Sequence, residues 1–305
     1  MTAGPAFTPA LTPTLTCVLD ARAKLGEGPV WSVDEQALYW VDIKGRALNR
    51  FDPASGANRA MALPEEIGCV APRKGGGFIA GLRSGLWQLD GEGGLVARLA
   101  ANPEDQGASR FNDGRTDPVG RYLAGTLDEP KAGGKAHLYR YDRRGLAVLA
   151  GGLLTSNGLA FSPDGRTLYH ADTPTFTVRR YRYDPATGAI SDGEPFIRLE
   201  PKEGDRGRPD GAAVDAEGCY WTALYEGGRV ARFSPAGALL SEHPLPARCP
   251  TMVAFGGPDL RTLYVTTASA GRPAEELERF PQSGGLFAMT VEVPGLPVPP
   301  FDPAA

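Results

Sequence analysis

Four short segments, Glu27-Gly28, Asn112-Asp113-Gly114, Asn157-Gly158 and Asp210-Gly211, set oxygen-bearing side chains ahead of a glycine at one recurring point of a repeated stretch. Two carboxylates and two amide carbonyls are hard oxygen donors. Brought together, they suit Ca2+, Mg2+ or Mn2+ and tolerate Zn2+ or Fe2+. A single Asp-Gly or Asn-Gly pair is an ordinary turn former, and Asp164-Gly165 is read as a turn and nothing more. Four such pairs in register need a scaffold that makes residues dozens of positions apart meet.

The spacing around them supplies that scaffold. Asn157 lies seven residues before Asp164 and twelve before Tyr169, and Glu27 stands in the same relation to Asp34 and Tyr39. Counting back eight from the turn glycines Gly120, Gly165 and Gly218 gives Asn112, Asn157 and Asp210. Weaker copies begin near Cys69 and Thr251, so the start points fall near 27, 69, 112, 157, 210 and 251. Steps mostly in the forties, each holding several short strands punctuated by glycine, predict an all-β, six-bladed β-propeller rather than a helical solenoid. Within repeat four, 158–161 reads as an inner strand, 163–165 as a hairpin turn, and 167–171 and 178–183 as the next strands. Innermost strands line a propeller's central channel, so the four oxygen-bearing starts are expected to converge on the axis. An open blade edge is an aggregation hazard; residues 15–19 are expected to supply the outer strand of the last blade and lock the chain ends together. Three longer linkers, 128–135, 200–208 and 269–282, are candidates for a lid.

Composition bounds the partners. The chain has 305 residues, 42% of them hydrophobic and 22% charged, with a net charge of −4. That supports a sizeable core, and the sequence carries no basic stripe for a nucleic-acid backbone. Cysteines 17, 69, 219 and 249 form no C-x-x-C pair and read as free thiols. Residues 1–13 are expected to be a flexible tail on a single propeller domain spanning 14–305. With no basic n-region and no run approaching the ~18 apolar residues of a membrane span, the expectation is a soluble, cytoplasmic monomer acting on a small molecule.

The blocks LGEGPVW, RFNDGRTDPVGRYLAGT, SNGLAFSPDGRTLYHAD and PDGAAVDAEGCYWTALYEGGRV, in that order, resemble those of the regucalcin/gluconolactonase family, also called senescence marker protein. The match covers nearly the whole chain. The resemblance implies a six-bladed propeller that binds one divalent metal ion and hydrolyses sugar lactones. By matching motif it implies Glu27, Asn157 and Asp210 as metal ligands, Arg110 and Asn112 as substrate-binding residues, and Asp210 as catalytic acid/base. A family glutamate that contacts substrate falls at Glu129 or Asp128, with Glu129 the better match.

The chemistry suits these residue types. A lactone carbonyl gathers negative charge when water attacks, and a cation with open positions answers that charge. A carboxylate bound to a divalent cation is a poor base because the ion lowers its pKa, so Asp210 is a ligand first, with Asp113 or Glu129 open as the proton acceptor. The expected substrates are glucono-, xylono- or arabinonolactone. Competing expectations are a phosphotriesterase or fluorophosphatase on the same metal, and a calcium-binding regulator with no turnover. The run 75–80 satisfies G-x-G-x-x-A but opens no helix, so a dinucleotide site is rejected. His137, His170 and His243 are isolated and, like the four tryptophans, are assigned to packing or surface. Cys69, at the repeat-two counterpart of Asn157, is read as a buried thiol.

Overall fold

The computed structural model describes residues 14–305, and the expected tail, residues 1–13, lies outside the described residues. Six four-stranded antiparallel sheets follow one another along the chain. Their inner strands are Gly26–Ser32, Ile67–Pro72, Ser109–Thr116, Ser156–Phe161, Arg208–Val214 and Pro250–Gly256. Each predicted start point lies near the N-terminal end of one of them. Every inner strand packs against the next, and Pro250–Gly256 returns to Gly26–Ser32, which closes the ring as a six-bladed propeller. The last blade is completed by Thr16–Leu19, paired antiparallel with Leu286–Thr290, so the chain ends are joined as expected.

The core is divided the way the topology demands. Apolar residues gather into six clusters, each between two consecutive blades. Trp31, Trp40, Phe51, Tyr264 and Leu286 join blade six to blade one, and Trp221, Phe255 and Phe287 join five to six. Full burial of such a side chain contributes about 1.5–3 kcal/mol. Repetition of this layer around the ring gives the inner strands a stiff frame.

One local irregularity recurs at the site end. Every inner strand breaks register with its neighbour near its start: between Glu27 and Val30, Ile67 and Cys69, Phe111 and Gly114, Asn157 and Ala160, Pro209 and Ala212, and Pro250 and Met252. A bulge re-aims the side chains beside it. Glu27 and Asn157 are the last paired residues before theirs, while Asn112, Asp113 and Asp210 lie inside theirs. Gly28 and Gly158 sit at φ of 52° and 62°, which L side chains rarely adopt. A Cβ on Gly158 would also fall 2.5 Å from the Tyr220 hydroxyl. The recurring glycine of the sequence pattern is the hinge of this bulge in blades one and four.

The three longer linkers all emerge at this end, since Asp128 pairs with Ser109, Thr267 with Pro250, and residues 200–207 lead directly into Arg208. The third contains a short helix, Ala274–Arg279. No described helix is long and apolar enough to cross a membrane.

The other end of the channel is closed by a feature with no counterpart in the repeat pattern. Residues 294–302 cross it in extended form: Ala216 N–H donates to Pro294 O (2.9 Å), Phe301 N–H to Pro72 O (2.8 Å), and Asp302 N–H to Gly120 O (2.8 Å). Phe301 is fully buried, with Tyr122 and Tyr141 beside its ring at 6.5 and 6.0 Å.

Candidate functional site

At the open end the bulges bring the predicted residues together. Arg110 Nη1 donates to Asn112 Oδ1 at 2.7 Å, and Asn112 Nδ2 donates to Asn157 Oδ1 at 2.8 Å and to Ser156 O at 3.0 Å. Asn157 Nδ2 then donates to Thr173 Oγ1 (2.8 Å), whose hydroxyl donates to Pro209 O (2.8 Å) next to Asp210. One hydrogen-bond chain therefore runs across blades three, four and five and fixes each amide's orientation. Glu27, Arg110, Asn112, Asp113, Asn157 and Asp210 are all buried.

The electrostatics of this cluster are unfavourable as it stands. Burial raises Glu27 well above the ordinary carboxylate range, and the charges of Asp210 and Asp113 push it further. Burial likewise lifts Asp210 to about 8; Asp113 adds to the shift, while Arg208, Lys131 and Asn157 oppose it. Asp113 is raised mainly by burial, against the Leu159 N–H donated to its Oδ2 at 2.9 Å. Oδ1 of Asp210 and Oδ1 of Asp113 are buried without a hydrogen-bond partner.

These features test the cluster for a cation. Among the described residues, no three His, Cys, Asp or Glu side chains by themselves form a metal-holding group. The set that fits is mixed: the Glu27 and Asp210 carboxylates plus the Asn157 amide oxygen, held in place by Asn112. Mutually repelling buried carboxylates and an orphaned Asp210 oxygen are what a hard divalent cation would relieve.

Glu129 stands at the rim. Arg83 holds both Glu129 Oε1 (2.5 Å) and Glu66 Oε2 (2.6 Å), and Glu66 lies 3.8 Å from Arg110 Nε. Burial alone would raise Glu66, but Lys44, Arg83 and Arg110 outweigh it and hold it below its usual range. Asp128 is buried and accepts the Gly133 N–H at 3.0 Å, so its carboxylate shapes the linker. Glu66, Arg83 and Thr173 escape sequence reasoning. None belongs to a repeated spacing, and Glu66 alone offers a signal, standing just before the second blade's start.

The remaining candidates have structural places. Cys69 is fully buried, and desolvation pushes its thiol up to about 12. His170 is buried against Ser156 Oγ at 2.7 Å, and burial lowers it to about 4. A cavity of about 410 Å3 lies at the opposite end of the channel, lined by Val30, Trp31, Phe161, Phe255 and the crossing residues 296–299. It is mostly apolar and contains none of the clustered carboxylates.

The SMP-30/Gluconolactonase/LRE-like region model matches residues 25–269. The chain belongs to that family. Among family relatives, it is 52% identical to a 6-deoxy-6-sulfogluconolactonase of Pseudomonas putida, over 94% of this chain and 98% of the relative. It is 38% identical to a pentonolactonase of Haloferax volcanii, over 93% of this chain and 97% of that one. The calcium-binding protein regucalcin from Agrobacterium tumefaciens superposes with a TM-score of 0.88 at 29% identity, covering 93% of this chain and 96% of the other. The fold and the family read from the sequence blocks are thus those found.

Proposed function

We propose that this protein hydrolyses a sugar lactone, a pentono- or hexonolactone, to its aldonic acid with the help of one divalent cation. The observation that carries the reading is the Glu27, Asn157 and Asp210 cluster, two repelling buried carboxylates and one fixed amide oxygen, at the open end of the propeller. The lactonase names of relatives aligned along nearly their whole length support it.

Water adds to the lactone carbonyl carbon, the ring C–O bond breaks, and the ring oxygen leaves as a hydroxyl. The new carboxylic acid ionises, so each turnover at neutral pH releases one proton. Glu27, Asn157 and Asp210 would hold the cation, which supplies Lewis acidity at the carbonyl when bound. Arg110 and Asn112, locked to each other, orient the lactone ring. Glu129, aligned by Arg83, accepts hydrogen bonds from ring hydroxyls. The attacking water's proton passes to Asp113 Oδ1, a buried carboxylate oxygen without a hydrogen-bond partner and outside the cation's ligand set.

The test is pH-stat proton release by metal-stripped protein on a panel of pentono- and hexonolactones, including 6-deoxy-6-sulfogluconolactone. Mg2+, Mn2+, Ca2+, Zn2+ and Fe2+ are restored singly, with protein-free controls. Hydrolysis restored by a divalent cation supports the reading. Binding of Ca2+ with no rate above control for any pair replaces it with the non-catalytic reading that the calcium-binding relative suggests.

A further inference from the structure

The rim of the site carries more positive charge than it uses. Three arginines converge on one carboxylate: Arg208 Nη2 lies 2.9 Å from Glu226, Arg272 Nη1 2.9 Å and Arg206 Nε 3.7 Å. Arg272 is also held by Glu276 at 2.6 Å, and Arg208 stacks over Tyr225 with 4.9 Å to the ring centroid. Arg208 Nε is buried without a hydrogen-bond partner. On the facing linker, Lys131 turns at φ 53°, pinned by its N–H to Asp128 O at 2.8 Å. The Lys131 ammonium has neither a hydrogen bond nor an ion pair among the described residues.

Lys131 and Arg208 come from different blades, yet they bear on each other. The Lys131 ammonium is shifted below its ordinary value, first by desolvation, then by the charge of Arg208; Asp210 opposes the shift and Arg110 adds to it. Lys131 lies on the linker that leaves Asp128, opposite Ser109 at the start of the blade-three inner strand, and Arg208 opens the blade-five inner strand, so both stand at the site end of the propeller, within electrostatic reach of each other and of Asp210. The sequence position of Arg208 is informative too, because it opens the inner strand that carries Asp210 two residues later. Like charges held near each other at the site end, one of them unpaired, are the electrostatic complement of an anion.

We infer that Lys131 and Arg208 together receive an anionic substituent on the sugar lactone, so the preferred substrate carries a sulfonate, phosphate or carboxylate on the carbon farthest from the lactone carbonyl. This inference rests on the lactonase reading of the same site. The substituent is not altered in the reaction. It anchors the far end of the molecule while the ring lies against Arg110 and Asn112. Lys131 supplies a mobile point charge, and Arg208 a planar donor edge fixed by Glu226 and Tyr225.

The test compares kcat/KM for glucono-δ-lactone, 6-deoxy-6-sulfogluconolactone, 6-phosphogluconolactone and a glucaric acid monolactone at low and high salt. The wild-type protein is expected to favour at least one anionic lactone by about tenfold or more, mainly through KM, with the advantage shrinking as salt is raised. Which anion gains most separates the three sources. Lys131→Gln is expected to reduce the anionic-to-neutral preference about tenfold, and Lys131→Arg to keep it. Equal turnover of neutral and anionic lactones by the wild type overturns this inference and leaves the lactonase reading standing. A wild-type preference that survives Lys131→Gln overturns the assignment to Lys131. No turnover of any lactone with any divalent cation overturns the lactonase reading itself.

Discussion

The Asn112 amide donates to Asn157 Oδ1 across 2.8 Å, joining the inner strands of blades three and four. The amide oxygen proposed to hold the cation is thereby oriented by a residue 45 positions earlier. Asn112 is in turn oriented by Arg110, so the two residues assigned to substrate also set the geometry of a residue assigned to metal.

Asn112→Ala removes a donor to Asn157 Oδ1 and Ser156 O and an acceptor for Arg110 Nη1, all of them buried. Each buried group left unpaired costs about 1–3 kcal/mol. Lactone kcat/KM is expected to fall by roughly a hundredfold or more, with the β-rich circular dichroism spectrum retained. Divalent cation affinity, read by titration calorimetry, is expected to weaken in the same variant. Unchanged cation affinity would limit Asn112 to substrate contact.

Asp210→Asn separates the two consequences of buried repulsion. Asp210 is raised to about 8 in the folded state, so its contribution to stability is fully present below its unfolded value near 4 and is lost as pH rises through 8. In metal-stripped protein at pH 9, the neutral amide is expected to melt a few degrees above wild type, and the gap is expected to narrow toward pH 4. With excess Ca2+ or Mn2+ the order reverses, because the cation stabilises only the form it binds. Lactonase activity is expected to be lost. A metal-stripped variant less stable than wild type at pH 9 would mean that Asp210 serves packing rather than the cation.

The clearest signal in the sequence was the repeated start, because every blade must aim the same strand end at the axis. Glu27, Asn157 and Asp210 recur with their glycines for that reason. The closing strand Thr16–Leu19 was legible because a ring must seal its edge. The partners that tune the site were not. Thr173 works through a 3-10 turn after the second strand of blade four, and Glu66 and Arg83 meet Glu129 only when neighbouring blades pack. Such contacts depend on side-chain reach between blades, which no period along one chain records. The crossing segment around Phe301 was invisible because it occurs once.

His170 gives the acid side of the stability profile. Burial lowers it from 6.5 to about 4, so the neutral ring's contribution is present above 6.5 and is lost as pH falls through 4. The loss is on the order of 3 kcal/mol. Urea midpoints at pH 7.5 and pH 4.5 are expected to differ more for wild type than for His170→Gln, which retains a polar group beside Ser156. Equal drops in both would show that His170 charges freely in the folded protein.

Phe301 anchors the segment that seals the channel end remote from Glu27, with Tyr122 and Tyr141 beside it. Tyr122 in turn lies in the cluster that joins blades two and three, together with Cys69 and Phe111. Phe111 directly precedes Asn112, so the wedge at one end of the channel supports the backbone of the site at the other. Phe301→Ala should leave a cavity costing about 3–5 kcal/mol. Stability measured by urea should fall accordingly, and lactone KM should change less than stability does, because no hydrogen bond of the site passes through Phe301. Loss of activity at temperatures where the variant is still fully folded would instead show that the two ends of the channel are coupled through Phe111.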